Sequence, residues 1–116
     1  MRPADAKTIF CRRLREARTA SGLSQKQLGI RSGLDEFVAS TRINRYEVGV
    51  HEPDIGTMRR LAAVMGVPLP YFYAEDDLLA RTILAFSRLP RSRRRSVLGE
   101  MESLAEKHRP LITERA

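Results

Sequence analysis

The chain contains no tryptophan and only one cysteine, Cys11, among its 116 residues. A single cysteine excludes an intramolecular disulfide, and this fits a protein of a reducing compartment that is stabilised by its core. Cys11 follows Phe10 in a helical pattern, and we expect it to pack as a small apolar residue. The alternative is a redox-sensitive thiol, because the neighbouring Arg12 and Arg13 could lower its pKa.

Long apolar runs are also absent. No segment approaches the roughly 18 apolar residues of a membrane-spanning helix, and the N-terminus lacks the apolar core of a signal peptide. We therefore expect a cytoplasmic protein without membrane contact.

Histidine is scarce as well: His51 and His108 lie far apart and lack the spacing of metal ligands. The sequence has no phosphate-binding glycine loop and no nucleophile motif. We therefore predict that the protein is not an enzyme and needs neither a metal nor a cofactor.

Basic residues are abundant. The chain has 21 lysines and arginines against 14 acidic residues, which gives a formal net charge of +7. Such an excess favours a polyanionic partner, since nucleic-acid binding by lysine and arginine releases counterions. A hydrophobic fraction of 42% is sufficient for a packed core.

The apolar residues recur at helical spacing almost throughout, and alternation typical of a strand is never sustained. We therefore predict an all-α fold: a helical domain over residues 1–74, followed by two C-terminal helices within residues 75–116. The predicted segments are Asp5–Ala20, Ser24–Ser32, Glu36–Val48, Asp54–Met65, a helical turn over Leu69–Tyr73, and two further helices that Pro90 separates.

The second and third segments have the pattern of a helix-turn-helix. Ser24 and Gln27 form a capping box, which marks the start of the second segment. Gly33 marks the turn after it. The third segment carries side chains that can bond base edges or phosphates, since Arg suits guanine, Asn suits adenine and Thr offers a hydroxyl and a methyl group. These side chains are Ser40, Thr41, Arg42, Asn44 and Arg45.

An ordered series of motifs between about Ile9 and Tyr73 resembles the XRE family, the Cro and phage-repressor type of helix-turn-helix regulator. The motifs are Leu23–Gly29, Gly33, Ile43–Gly49, Glu52–Pro53 and Leu61–Pro68. The resemblance implies that residues 1–74 form a five-helix DNA-binding domain of the phage-repressor kind, with double-stranded DNA as the partner. It implies a phosphate contact for Gln25, base reading by Ser40, Thr41 and Arg45, phosphate or base contacts for Arg42 and Asn44, and a structural role for Glu47.

The sequence departs from the family pattern in two places. Gly29 stands where alanine is most common, which costs helix propensity but permits close packing. The spacing from Gly33 to Ser40 is longer than usual by about four residues, close to one helical turn. Either the third helix gains an N-terminal turn over Glu36–Ala39, or the turn between the helices is enlarged. The longer spacing leaves the exact set of base-reading residues open by about one helical turn.

The C-terminal helices present an apolar stripe that includes Val97, Leu98, Met101 and Leu104. Such a stripe suits a homodimer, and a dimer can read a palindromic operator. We therefore predict a sequence-specific DNA-binding transcriptional regulator that acts as a repressor. The alternative is an antitoxin-like regulator whose C-terminal helices bind a partner protein.

A cluster of basic residues opens the last helix, where the helix dipole disfavours cations. Phosphate or the acidic run at residues 75–77 could offset this cost, and the alternative is a solvated, unpaired run. The cluster consists of Arg91, Arg93, Arg94 and Arg95.

Overall fold

The computed structural model describes residues 5–108, and every regular element in this range is helical. The prediction of an all-α fold is therefore confirmed. The fifth helix of the predicted domain is a short 3-10 helix. The elements are α1 (Ala6–Ala20), α2 (Gln25–Arg31), α3 (Ala39–Val48), α4 (Ile55–Met65), the 3-10 helix (Leu69–Tyr73), α5 (Asp77–Arg88) and α6 (Arg91–Glu106).

Side-chain caps mark the start of α1, α2, α4 and α5. The capping box at Ser24 and Gln27 is present in both directions, as the sequence predicted. Asp5 accepts a hydrogen bond from the Thr8 backbone at the start of α1. At the start of α4 the Thr57 backbone N–H donates to Asp54 Oδ1 at 2.8 Å. This bond favours the ionised carboxylate and so lowers the pKa of Asp54.

The core lies where α1, α2, α3 and α4 meet the 3-10 helix. The rings of Phe10 on α1 and Phe72 on the 3-10 helix lie 5.2 Å apart, within the usual range for packed aromatic pairs. Each of the four helices and the 3-10 helix contributes a fully buried side chain. These side chains are Leu14, Leu28, Ile43, Leu61 and Phe72. The recognition-helix candidate α3 is thus held through its inner face by several elements at once.

The segment before α3 corrects one prediction. The helix begins at Ala39, and residues 36–38 form a turn. The extra helical turn predicted over Glu36–Ala39 is therefore wrong, whereas the enlarged turn between the helices is confirmed. Asp35 explains this conformation: its Oδ1 accepts from the Phe37 N–H, and its carbonyl accepts from the Val38 N–H. Phe37 and Val38 in this turn are exposed.

The C-terminal helices are attached at two points. Arg13 on α1 is 2% exposed, and its Nε donates to the Ala74 carbonyl at 2.8 Å. Its Nη2 donates to the Glu75 carbonyl, and its Nη1 pairs with Asp77 at 3.1 Å. In addition, Ala80 of α5 is buried in the core. The start of α5 is therefore fixed to the helix-turn-helix part.

The attachment of α6 is different, because none of its residues is buried. Arg94 Nε donates to the Leu89 carbonyl at 3.0 Å, and its Nη2 donates to the Ser87 carbonyl at 2.6 Å. Its guanidinium also lies 6.0 Å from the centre of the Phe86 ring. The carbonyl groups at the end of α5 thus stabilise the positive charge of Arg94, one member of the predicted basic cluster. The helix dipole favours a cation at this end of α5.

Gly29 generates the first prediction. A Cβ atom at this position would lie 2.6 Å from Ala39 Cβ and 3.0 Å from the Ala39 carbonyl oxygen. Gly29→Ala should therefore lower the free energy of unfolding by about 1 kcal/mol, because overpacking costs more than the gain in helix propensity. Urea unfolding followed by circular dichroism measures the change.

Gly99→Ala is the matched control. Gly99 also lies inside a helix, α6, but an added Cβ there meets no atom within 4 Å. We expect this variant to be neutral or more stable by up to about 1 kcal/mol. An equal gain in both variants would show that Gly29 is not needed for the contact with Ala39.

Candidate nucleic-acid interface

The solvent side of α3 is polar and basic. Its inner side is formed by four buried residues, Ala39, Ile43, Tyr46 and Glu47. With roughly 100° of rotation per residue, the direction opposite to them is occupied by Thr41, Asn44, Arg45 and Val48, which we call the outer face of α3. All four are exposed. Ser40 and Arg42 are exposed on the two flanks of this face.

Most of the predicted site residues thus lie on one helix surface. Thr41, Asn44 and Arg45 belong to the outer face. Ser40 lies on the flank towards Asn44, and Arg42 lies on the opposite flank.

Gln25, the first residue of α2, lies beside the outer face. Its Nε2 donates to Asn44 Oδ1 at 3.2 Å and to Glu47 Oε1 at 3.1 Å. The predicted phosphate-contact residue therefore also orients a predicted DNA-contact residue. An amide oxygen has two lone pairs, so Asn44 retains one acceptor site and both N–H donors for a base.

Glu47 lies beneath the outer face and pairs with Arg18 of α1. Arg18 Nε lies 2.5 Å from Glu47 Oε2, and Nη2 donates to Oε1 at 3.2 Å. The side chains are 16% and 2% exposed, respectively. Arg18 Nη1 also donates to the Leu23 carbonyl, just before α2. The Arg18–Glu47 ion pair joins α1 to α3, and the bond to Leu23 adds the start of α2. The structural role predicted for Glu47 is thus confirmed.

Val48 is a member of the outer face that the sequence analysis did not single out. It is exposed although it is apolar. The sequence does contain a signal for this position. Val48 follows Asn44 by four positions and Thr41 by seven, and this spacing places the three residues on one face of a helix. An exposed apolar side chain here can contact the methyl group of thymine, whereas guanidinium and amide groups bond base edges.

Cys11 does not have the surroundings of a redox-sensitive thiol. Its Sγ donates to the Tyr46 carbonyl at 3.3 Å, and burial raises its pKa. The guanidinium groups of Arg12 and Arg13 both donate to the carbonyl of Glu75. The structure thus supports the interpretation of Cys11 as a packing residue.

Other kinds of site find no support within residues 5–108. This part of the chain has no group of three or more histidine, cysteine or acidic side chains that could hold a metal ion. It also has no helix of the length and apolar character needed to cross a membrane.

Residues 14–72, from α1 to the 3-10 helix, match the helix-turn-helix family. The chain belongs to this family and, within it, to the XRE type that its motifs resemble. The prediction that it is not an enzyme agrees with this membership, because the relatives described below are named as transcriptional regulators.

The chain is also similar to two individual transcriptional regulators. The SPbeta prophage-derived HTH-type transcriptional regulator YonR of Bacillus subtilis is 32% identical over 76 residues. That match covers 60% of this chain and 65% of YonR, so the chain spans less than two thirds of that relative's length. The crystal structure of the transcriptional regulator BswR superimposes with a TM-score of 0.75 at 42% identity, over 80% of this chain and 92% of BswR.

The second prediction concerns the buried ion pair between Arg18 and Glu47. Arg18→Met should lower the free energy of unfolding by about 3–5 kcal/mol, because it leaves the Glu47 carboxylate buried without its charged partner. The double variant Arg18→Met/Glu47→Met should be more stable than the sum of the two single variants predicts. Urea unfolding measures all three.

Arg15→Met is the control, because Arg15 is an exposed arginine on the same helix. It should change the free energy of unfolding by less than about 0.5 kcal/mol. Strictly additive losses in the double variant would contradict a coupled Arg18–Glu47 pair.

Proposed function

We propose that this protein is a cytoplasmic bacterial transcriptional regulator, which acts as a repressor and binds a palindromic operator as a homodimer. The observation that carries the proposal is the outer face of α3, which exposes Thr41, Asn44 and Arg45 on a helix that a buried ion pair holds in place. A rigid helix of this kind can enter the major groove while its partner helix crosses the DNA backbone.

The proposed contacts follow from the positions of the side chains. Thr41, Asn44 and Arg45 meet base edges, where Arg can bond guanine and Asn can bond adenine in a bidentate way. Ser40 and Arg42, on the flanks, contact phosphate or the outermost bases. Gln25 bonds a phosphate from the start of α2, as it lies beside Asn44 at the edge of the outer face.

The proposed dimer interface lies in the C-terminal extension, residues 75–116. Between α5 and α6 is an open groove of about 230 Å³ with apolar walls, to which Phe86, Leu89, Val97 and Met101 contribute. Exposed apolar side chains that cluster on a surface favour association, because their burial removes them from water. On α5 and α6 these are Leu78, Leu79, Leu98, Met101 and Leu104.

Selection of bound DNA fragments with the purified protein tests the function as a whole. We expect a near-palindrome whose half-site centres are about 10–10.5 base pairs apart or a multiple of this, because a two-fold dimer presents its reading helices on one side of the duplex. Affinity should fall steeply with salt. A site without two-fold symmetry, bound at full affinity, would contradict the dimeric reader.

Arg45→Ala is the prediction for base reading. It should weaken binding to the selected operator by about 1–3 kcal/mol and relax the preference at one base position in each half-site. Repeating the selection with the variant measures both effects.

Arg88→Ala, at the end of α5, is the control because it removes the same charge from an exposed position outside α3. It should leave the base preference unchanged. If Arg45→Ala weakens binding equally on all sequences, Arg45 is a phosphate contact and the proposed base-reading role is wrong.

Met101→Glu is the prediction for the dimer. Met101 is 42% exposed and lies in the apolar stripe of α6. A carboxylate buried there without a partner should raise the dissociation constant of the dimer by roughly tenfold or more. Sedimentation over a range of concentrations measures the change.

Ser103→Glu introduces the same charge on the opposite side of α6, at an exposed position, and should leave the dimer intact. If the wild-type protein sediments as a monomer at all concentrations, the homodimer is wrong. The apolar face would then favour the antitoxin-like alternative, in which α5 and α6 bind a different protein.

A further inference from the structure

The turn between α2 and α3 carries a large apolar side chain in solvent. Phe37 is 88% exposed, the highest value among the exposed large apolar side chains of residues 5–108. A phenylalanine ring is stabilised when it is removed from water. The folded monomer does not obtain this gain, so the ring is available to a partner.

The backbone holds Phe37 in a defined place. The Phe37 N–H donates to Asp35 Oδ1 at 2.8 Å, and the Val38 N–H donates to the Asp35 carbonyl at 3.0 Å. The next residue, Ala39, is fully buried against Gly29. The turn is therefore fixed at both ends, and the backbone holds the Phe37 ring in a defined position directly before α3.

We propose that Phe37 is a specificity-determining residue that contacts the C5-methyl group of a thymine in the operator half-site. The inference rests on the proposed function. A reading helix of this motif contacts bases with its N-terminal residues, and Phe37 lies two residues before the first residue of α3. The thymine methyl is the apolar group that the major groove offers, and phenylalanine is suited to contact it.

The charges of the turn favour bases over phosphates as its target. Glu36 is an exposed carboxylate beside Phe37, and it would repel a phosphate group. Asp35 directs Oδ1 to the Phe37 N–H. No lysine or arginine lies among residues 34–38, so the turn has no cation with which to bind the DNA backbone.

The experiment combines a protein variant with a change of one atom group in the DNA. The experiment compares three proteins: the wild type, Phe37→Ala and Phe37→Leu. Each is titrated with the selected operator and with operators in which one thymine at a time is replaced by deoxyuridine. Deoxyuridine lacks only the methyl group. At one position of each half-site the replacement should weaken wild-type binding by about threefold to fivefold, the effect of one buried methyl group.

The same replacement should have no effect on Phe37→Ala and a partial effect on Phe37→Leu, because only the methyl contact couples the two changes. Urea unfolding of the variants should match that of the wild type, since the ring is exposed. Equal losses in wild type and Phe37→Ala at every thymine would overturn the inference, as would a selected half-site without thymine.

Failure of the inference and failure of the proposed function give different results. If Arg45→Ala alters the base preference while deoxyuridine shows no coupling to Phe37, α3 reads DNA and Phe37 does not. If no selected or random duplex binds the wild-type protein, the proposed function is wrong and the inference falls with it.

Discussion

A buried carboxylate, that of Glu47, constrains how α1, α2 and α3 meet. Glu47 sits under the outer face of α3 with almost no access to water, and it requires charged and polar partners from other helices. Arg18 of α1 and Gln25 of α2 supply them. A buried ion pair of this kind contributes more to a unique orientation than to net stability. The three helices must therefore meet in one register.

The same group connects the interior with the proposed DNA surface. Gln25 bonds both Glu47 and Asn44, so a continuous series of hydrogen bonds leads from Arg18 to the outer face of α3. The close approach of Gly29 and Ala39 adds a second constraint, because it sets the distance between α2 and α3. A reading helix needs such support, since small displacements would misalign its hydrogen bonds with base edges.

Local physics made much of this predictable from the sequence. The capping box at Ser24 and Gln27, the cap at Asp54 and the apolar spacing of each helix depend on neighbouring residues alone. The long-range features were less accessible. The start of α3 depends on the fit of Ala39 against Gly29 and on the bonds of Asp35. The carbonyl partners of Arg94 likewise appear only when the helices are assembled.

The attachment of α5 to the core differs from the attachment of α6 to α5, and this difference affects how a dimer would place its two reading helices. Arg13 fixes the start of α5 with buried contacts to the linker, and Ala80 packs into the core. By contrast, α6 has no buried residue, and Arg94 binds it to the end of α5. In the proposed dimer, α5 would thus move with the reading helix. The spacing of the two reading helices would then depend mainly on the packing between α5 and α6, which links operator spacing to the apolar groove rather than to α3 itself.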